Sequence, residues 1–152
     1  MPINSSKNHQ GFTLIELLVV IVIIGISMAV IAPNMGAGKQ GAQLKAAARD
    51  IASALRYARG YALTTQKEAT LSLDLTTNTY QITGKSKGYH LNDDIDLTLE
   101  TAQSELNGEG LGKIRFFADG SSSGGRVTLE RGEKKWLVDI SWLTGQVDIN
   151  EK

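Results

Sequence analysis

The sequence predicts an α+β chain: a long N-terminal helix in two halves, one apolar and one amphipathic, packed on a head of short antiparallel strands. Three observations carry this. Phe12 to Ala32 is an otherwise apolar run of 21 residues holding one carboxylate, Glu16. From Ala42 to about Gln66 apolar residues recur at helical spacing, and from Ala69 onward the period switches to two. Strands that follow one another behind a single helical stretch, with no βαβ alternation and no internal repeat, indicate antiparallel pairing.

Length and composition fit one domain plus an anchor, since 119 of the 152 residues lie beyond Pro33. That is enough for one modest hydrophobic core. Sixteen basic and sixteen acidic residues give a formal net charge of zero, which leaves no global electrostatic case for nucleic acid or an anionic surface. There is no cysteine, so the fold rests on no disulfide and no thiol chemistry. No cofactor, metal or catalytic residue is expected.

The apolar run is the first element. At about 1.5 Å per residue it is roughly 32 Å long, enough to cross a bilayer core of about 30 Å. A carboxylate inside such a core costs roughly 2.5–3.5 kcal/mol on insertion scales, so Glu16 needs a partner and a purpose. A secretory signal peptide has a shorter apolar core with its cleavage site behind it. A plain anchor accounts for the length but not for Glu16, and a buried core helix would not be apolar on every face. The residues in front narrow the choice. Gly11-Phe12-Thr13-Leu14-Ile15-Glu16 resembles the class III signal of type IV pilins and of the pseudopilins of type II secretion, over the first 35 residues. The resemblance implies cleavage between Gly11 and Phe12 by a prepilin peptidase, which also methylates the Phe12 amine. Residues 1–11 are then a leader, and 141 residues remain. It further implies that Glu16 pairs with the Phe12 amine of a neighbouring subunit. Opposite charges in a low-dielectric setting are tolerable together and expensive apart. Residues 12–33 would form the transmembrane and filament-core helix, with Gly25 and Pro33 as points of helix flexibility. Lys7 precedes the run while Lys39, Lys45 and Arg49 follow it, so charge alone would favour the reverse orientation. An N-terminus on the cytoplasmic side of the bacterial inner membrane, with the head in the periplasm, is what the resemblance implies.

Three glycines between Asn34 and Gly41 predict a loose stretch after Pro33, each costing about 1 kcal/mol against alanine in a helix. The amphipathic segment, 34–66, has its helix from Ala42. Leu44, Ala48, Ile51, Leu55, Ala58 and Ala62 make one stripe, and Lys45, Arg49, Arg56 and Arg59 fall off it onto an expected solvated face.

The head, 67–152, opens with alternating Ala69, Leu71, Leu73 and Leu75. A turn follows at 76–78, then a return strand through Tyr80 and Ile82. Ile95, Leu97 and Leu99 alternate again. A Gly-, Glu- and Asn-rich loop runs from Glu100 to Gly112, and further strands are expected over 113–118, 126–130, 136–141 and 145–149. Phe116 to Leu129, with its Asp119-Gly120-Ser121-Ser122-Ser123-Gly124-Gly125 centre, is similar to the signature of general secretion pathway protein H and related minor pilins. So are 136–140, 143–147 and 54–59. The resemblance implies a β-sandwich-like head. The glycine-serine stretch itself reads as a tight loop between strands, with Gly124-Gly125 letting two backbones approach.

Other patterns are weaker. Gly120 to Gly124 matches G-x-S-x-G, but a strand rather than a helix follows, so Ser122 reads as a loop serine and not a nucleophile. His90 reads as a half-exposed loop residue. Gly108, Gly110 and Gly112 lack the strand-to-helix context of a nucleotide loop. Asp93, Asp94 and Asp96, with Asn92, have oxygen ligands but no EF-hand spacing, and read as a solvated acidic turn. The function expected is structural: a minor pseudopilin near the tip of the type II secretion pseudopilus, not an enzyme. Its partners would be other minor pseudopilins, the major pseudopilin, the prepilin peptidase/methyltransferase and an inner-membrane assembly platform. A minor pilin of a type IV pilus, in assembly or DNA uptake, is the alternative. The tail after Gly145 has two acids and no arginine, which argues against nucleic acid.

Overall fold

The structure is a computed structural model that describes residues 12–31, 34–102, 105–106 and 110–152, with side chains outside 29–39. It divides into two compact units between Gly38 and Lys39. Helix α1 spans Leu14–Ile31 and α2 spans Asn34–Thr65. The eight strands are β1 (Ala69–Asp74), β2 (Thr79–Ile82), β3 (Tyr89–His90), β4 (Asp96–Glu100), β5 (Leu111–Phe116), β6 (Gly125–Arg131), β7 (Lys134–Ile140) and β8 (Val147–Glu151). They form two four-stranded antiparallel sheets, ordered β3-β2-β1-β5 and β4-β6-β7-β8.

The expected loose stretch at 34–41 is corrected: α2 is helical from Asn34. A proline immediately before a helix costs no internal hydrogen bond, because the first N–H groups have no intrahelical acceptor. The helix ends where Gln66 takes a left-handed conformation (φ 54°) and its side-chain amide donates to Leu63 O at 2.9 Å. All six residues of the predicted stripe are fully buried, and Ala47, Ala52 and Ala54 widen it. The alanines let α2 lie close to the sheets, where it meets Leu71, Leu73, Ile114, Phe116, Val127, Leu129 and Val138 in one core. Among the described residues the buried core runs from Leu44 to Val147.

The basic residues of α2 do more than face solvent. Arg56 donates to Val147 O at 2.8 Å, Arg59 Nε donates to Gly120 O at 3.2 Å, and Lys45 Nζ lies 5.3 Å from the Trp136 ring centre. Long side chains just off the buried stripe reach around it to the head. Two strand predictions shift as well. Leu75 lies beyond β1, in a turn where the Asp74 carboxylate accepts from Thr76 N and Thr77 N at 2.9 and 3.1 Å. The loop expected up to Gly112 gives way to β5 at Leu111. Earlier in that loop, buried Glu105 pairs with Arg115 at 2.9 Å, while Arg115 also holds Glu68 at 2.5 Å.

The glycine-serine stretch is a crossover, since it links β5 of one sheet to β6 of the other. A Cβ on Gly125 (φ 139°) would collide with Glu100 O and with Ile114. The close backbone approach expected there is therefore real. Gly145 (φ 64°) sits equally hard against Gly120 O and Arg59, which locks the β7–β8 turn onto the crossover.

Candidate functional site

The candidate site is the start of α1. Thr13 caps the helix: Glu16 N–H donates to Thr13 Oγ1 at 3.3 Å and to Thr13 O at 3.1 Å, and Leu17 N–H to Thr13 O at 3.2 Å. Thr13-Leu14-Ile15-Glu16 has the spacing of a capping box, with Thr13 at the N-cap and Glu16 three residues on. The carboxylate sits in the first turn, where the positive end of the helix dipole favours it. Sequence reasoning missed this local role for Glu16, although the T-x-x-E spacing signals it. The carboxylate is exposed and, among the described residues, has no ion-pair partner.

Around Glu16 every large apolar side chain from Phe12 to Met28 is exposed, Phe12 at 81% and Leu14 at 85%. A helix apolar on all faces needs apolar surroundings. Ser27 is the other polar group in α1, and its hydroxyl donates to Ile23 O at 2.8 Å, so it presents no unpaired donor. Among the described residues no helix is long and apolar enough to cross a membrane. The 18 residues of α1 measure about 27 Å, and the apolar run of the sequence extends three residues past its ends. A Cβ at Gly25 would meet nothing within 4 Å, so that glycine is not required by packing inside the chain. Gly11 and Pro33 lie outside the described residues.

At the C-terminal end of α2 the head gathers its second notable surface. Gln66 reaches Ala118 O, Arg59 reaches Gly120 O, and Ser122 N–H and Oγ–H donate to Trp142 O and Ser141 O, each at 2.9 Å. Ser122 is buried and its Oγ also accepts from Gly124 N at 3.0 Å, so it staples two loops together. No histidine lies within its hydrogen-bonding reach among the described residues.

Comparison with known proteins decides the family. The family described as Type II transport protein GspH matches residues 47–145, and the prokaryotic N-terminal methylation motif matches residues 6–32. The chain belongs to the GspH family. A type II secretion system protein H of Xanthomonas campestris pv. campestris is 33% identical over 145 residues, covering 93% of this chain and 83% of the relative. Among solved structures, the minor pseudopilin EpsH of the Vibrio cholerae type 2 secretion system superposes with a TM-score of 0.57 at 11% identity, over 72% of this chain and 97% of that one. The type IV minor pilin FimU of Pseudomonas aeruginosa gives 0.56 at 13% identity, over 73% and 90%. At these identities the two likenesses show the fold, an N-terminal helix packed on antiparallel sheets.

In this GspH-family chain the remaining sequence patterns resolve into structure. Asp93 faces His90 Nε2 at 3.1 Å, and Asp94 pairs with Arg131. Among the described residues no three His, Asp or Glu side chains converge on a metal position. Gly108 lies outside the described residues, while Gly110 (φ 83°) gives its carbonyl to Leu75 N at 2.7 Å. The motif matched over residues 6–32 contains Gly11, Phe12 and Glu16.

Proposed function

We propose that this chain is a non-enzymatic minor pseudopilin of the type II secretion system, a subunit near the tip of a periplasmic pseudopilus that helps push folded exoproteins across the outer membrane. The single observation that carries this is the start of α1, where every large apolar side chain from Phe12 to Met28 is exposed around one exposed carboxylate in the first helical turn. Such a helix satisfies its faces first in the inner membrane and then among like helices in a filament. Glu16 favours the second setting, because there the carboxylate meets the Phe12 amine of a neighbour. In this reading residues 1–11 are the leader, Gly11 and Phe12 flank the cut made by the prepilin peptidase, and Phe12 is methylated by the same enzyme. The periplasmic head follows a 12–33 membrane and filament-core segment and a 34–66 amphipathic helix. Gly25, with no side chain to lock it, and Pro33 give the first helix its bending points. The partners are the other minor pseudopilins, the major pseudopilin and the inner-membrane assembly platform.

The likeness to FimU supports a second reading, a minor pilin of a type IV pilus. The last strand argues against a DNA-binding version: β8 carries Asp148 and Glu151 and no arginine. Gene replacement scored for exoprotein secretion and for uptake of labelled DNA separates the two. Lost secretion with normal uptake is expected, and the opposite result moves the protein to the pilus. Glu16→Ala should insert normally yet lose filament incorporation, and Gly11→Val should block leader removal. Unchanged incorporation of Glu16→Ala refutes the ion pair.

A further inference from the structure

We infer that residues 34–40 of α2 are a joint between anchor and head, a stretch of helix that opens by unwinding, and that this opening is needed when the chain passes from the bilayer into the filament. The inference rests on the filament reading above for what the joint does, and on the helix itself for its existence. α2 is one continuous helix from Asn34 to Thr65, yet the two compact units of the chain part inside it, between Gly38 and Lys39. A helix that crosses such a boundary draws little support from either unit and depends on its own backbone bonds. Those bonds are weak here. Gly36 and Gly38 lie in this stretch, and each favours the open chain about fivefold over alanine. Asn34 is also a poor helix former, and Pro33 before it has no N–H to continue a helical ladder. Seven residues are about half the length at which an isolated helix becomes stable in water.

The head sets where the joint ends. Among the described residues Leu44 is the first of the buried core. Three side chains of the β6–β7 hairpin hold the helix around that point. The Lys134 side chain lies where a Cβ of Gly41 would stand, Arg131 Nη1 donates to Gln43 Oε1 at 2.9 Å, and Lys45 Nζ lies 5.3 Å from the Trp136 ring centre. Gly41 therefore serves packing and belongs to the head, whereas Gln40 is exposed. Further on, Arg56 and Arg59 bind Val147 O and Gly120 O, so α2 beyond Gly41 moves with the head. The stability of the helix thus changes sharply at Gly41. Opened to an extended chain, the seven residues grow from about 10 Å to about 23 Å, a gain of about 13 Å. The anchor of the filament reading has two settings, the bilayer and then neighbouring helices. A rigid rod would impose one height and one angle on the head in both. A joint that lengthens frees the head to seat in the second setting while α1 is still leaving the first.

The test is backbone amide exchange of the full chain in bilayers, read at Gln40 and Gly41, whose helical acceptors are the carbonyls of residues 36 and 37. Both amides should exchange more than about a hundredfold faster than those from Ile51 to Ala58, which open only with the head. Gly36→Ala with Gly38→Ala should slow Gln40 and Gly41 about thirtyfold, and adding Ala37→Gly should recover about fivefold of that. Gly60→Ala is the control: in the same helix, with nothing within 4 Å of its Cβ, it should leave both amides as they are. In cells carrying the secretion apparatus the double variant should lose its leader normally. Its filament incorporation should fall by up to about thirtyfold, the factor by which the open state is depleted, and Ala37→Gly should restore part of it. Exchange at Gln40 and Gly41 as slow as at Ile51, exchange indifferent to the double variant, or slowed exchange with unchanged incorporation each overturns the inference. If Glu16→Ala still abolishes incorporation in that case, the filament reading stands without the joint. If Glu16→Ala incorporates and secretes normally, the filament reading itself fails, and with it the need for the joint.

Discussion

Replacing Gly125 by alanine tests the crossover that joins the two sheets. At φ 139° an L-residue is strained, and the new Cβ would press on Glu100 O and, at 2.9 Å, on Ile114 Cδ1. Glu100 is register partner to Arg126 in the β4–β6 ladder, so its carbonyl yields only if that pairing shifts. Backbone strain of this kind costs about 1–3 kcal/mol and overpacking about 1–3 kcal/mol more, for a total of roughly 3–5 kcal/mol. For the compact unit Lys39–Lys152, 114 residues, that lowers the melting temperature by about 10–20 °C. Gly132→Ala is the control: its φ is 61°, but a Cβ there meets nothing within 4 Å. It should lose only about 1–2 kcal/mol, the left-handed penalty. Thermal melting of both variants in the same detergent gives the comparison. Equal losses would mean that backbone conformation alone selects glycine at 125, and the close approach of the two sheets would carry no cost.

Arg115→Met leaves Glu105 buried with, among the described residues, only Lys113 Nζ at 3.9 Å for compensation, and should cost about 2–3 kcal/mol in denaturant unfolding. Adding Glu105→Leu should restore most of it, and a double variant as unstable as the single would refute the ion-pair account. Asp119 is held below the usual carboxylate range by Ser121, first through its hydroxyl and then through its N–H; Asp74 is held low likewise by Thr77, through its N–H and then its hydroxyl. Because both folded values are depressed, the stability they supply is present at neutral pH and is lost as pH falls below about 4. Asp119→Asn should therefore melt lower at pH 7 and show a shallower acid limb, and an unchanged limb would assign acid sensitivity elsewhere.

Much of the architecture was written locally. The 4-3-4-3-4 spacing of Leu44, Ala48, Ile51, Leu55, Ala58 and Ala62 named the buried face of α2, since helical period alone decides which side chains share a side. Alternation did the same for Leu71, Leu73, Tyr80 and Ile82 in the head. Glu16 stood out because a charge in an apolar run is anomalous whatever the fold, and its capping geometry with Thr13 was implicit in the same four residues. The division of the strands between two sheets was not legible. Antiparallel neighbours are chosen by contacts between distant segments, and the crossover at 117–124 looks in sequence like an ordinary hairpin loop. Nor could sequence show that Arg56 and Arg59 turn back onto Val147 and Gly120, or that Glu105 is buried against Arg115. Periodicity and composition thus determined which elements form, where the apolar helix begins and which faces are buried. Only the tertiary structure decided which strands pair and which charges meet, because those depend on residues far apart in the chain arriving at one place.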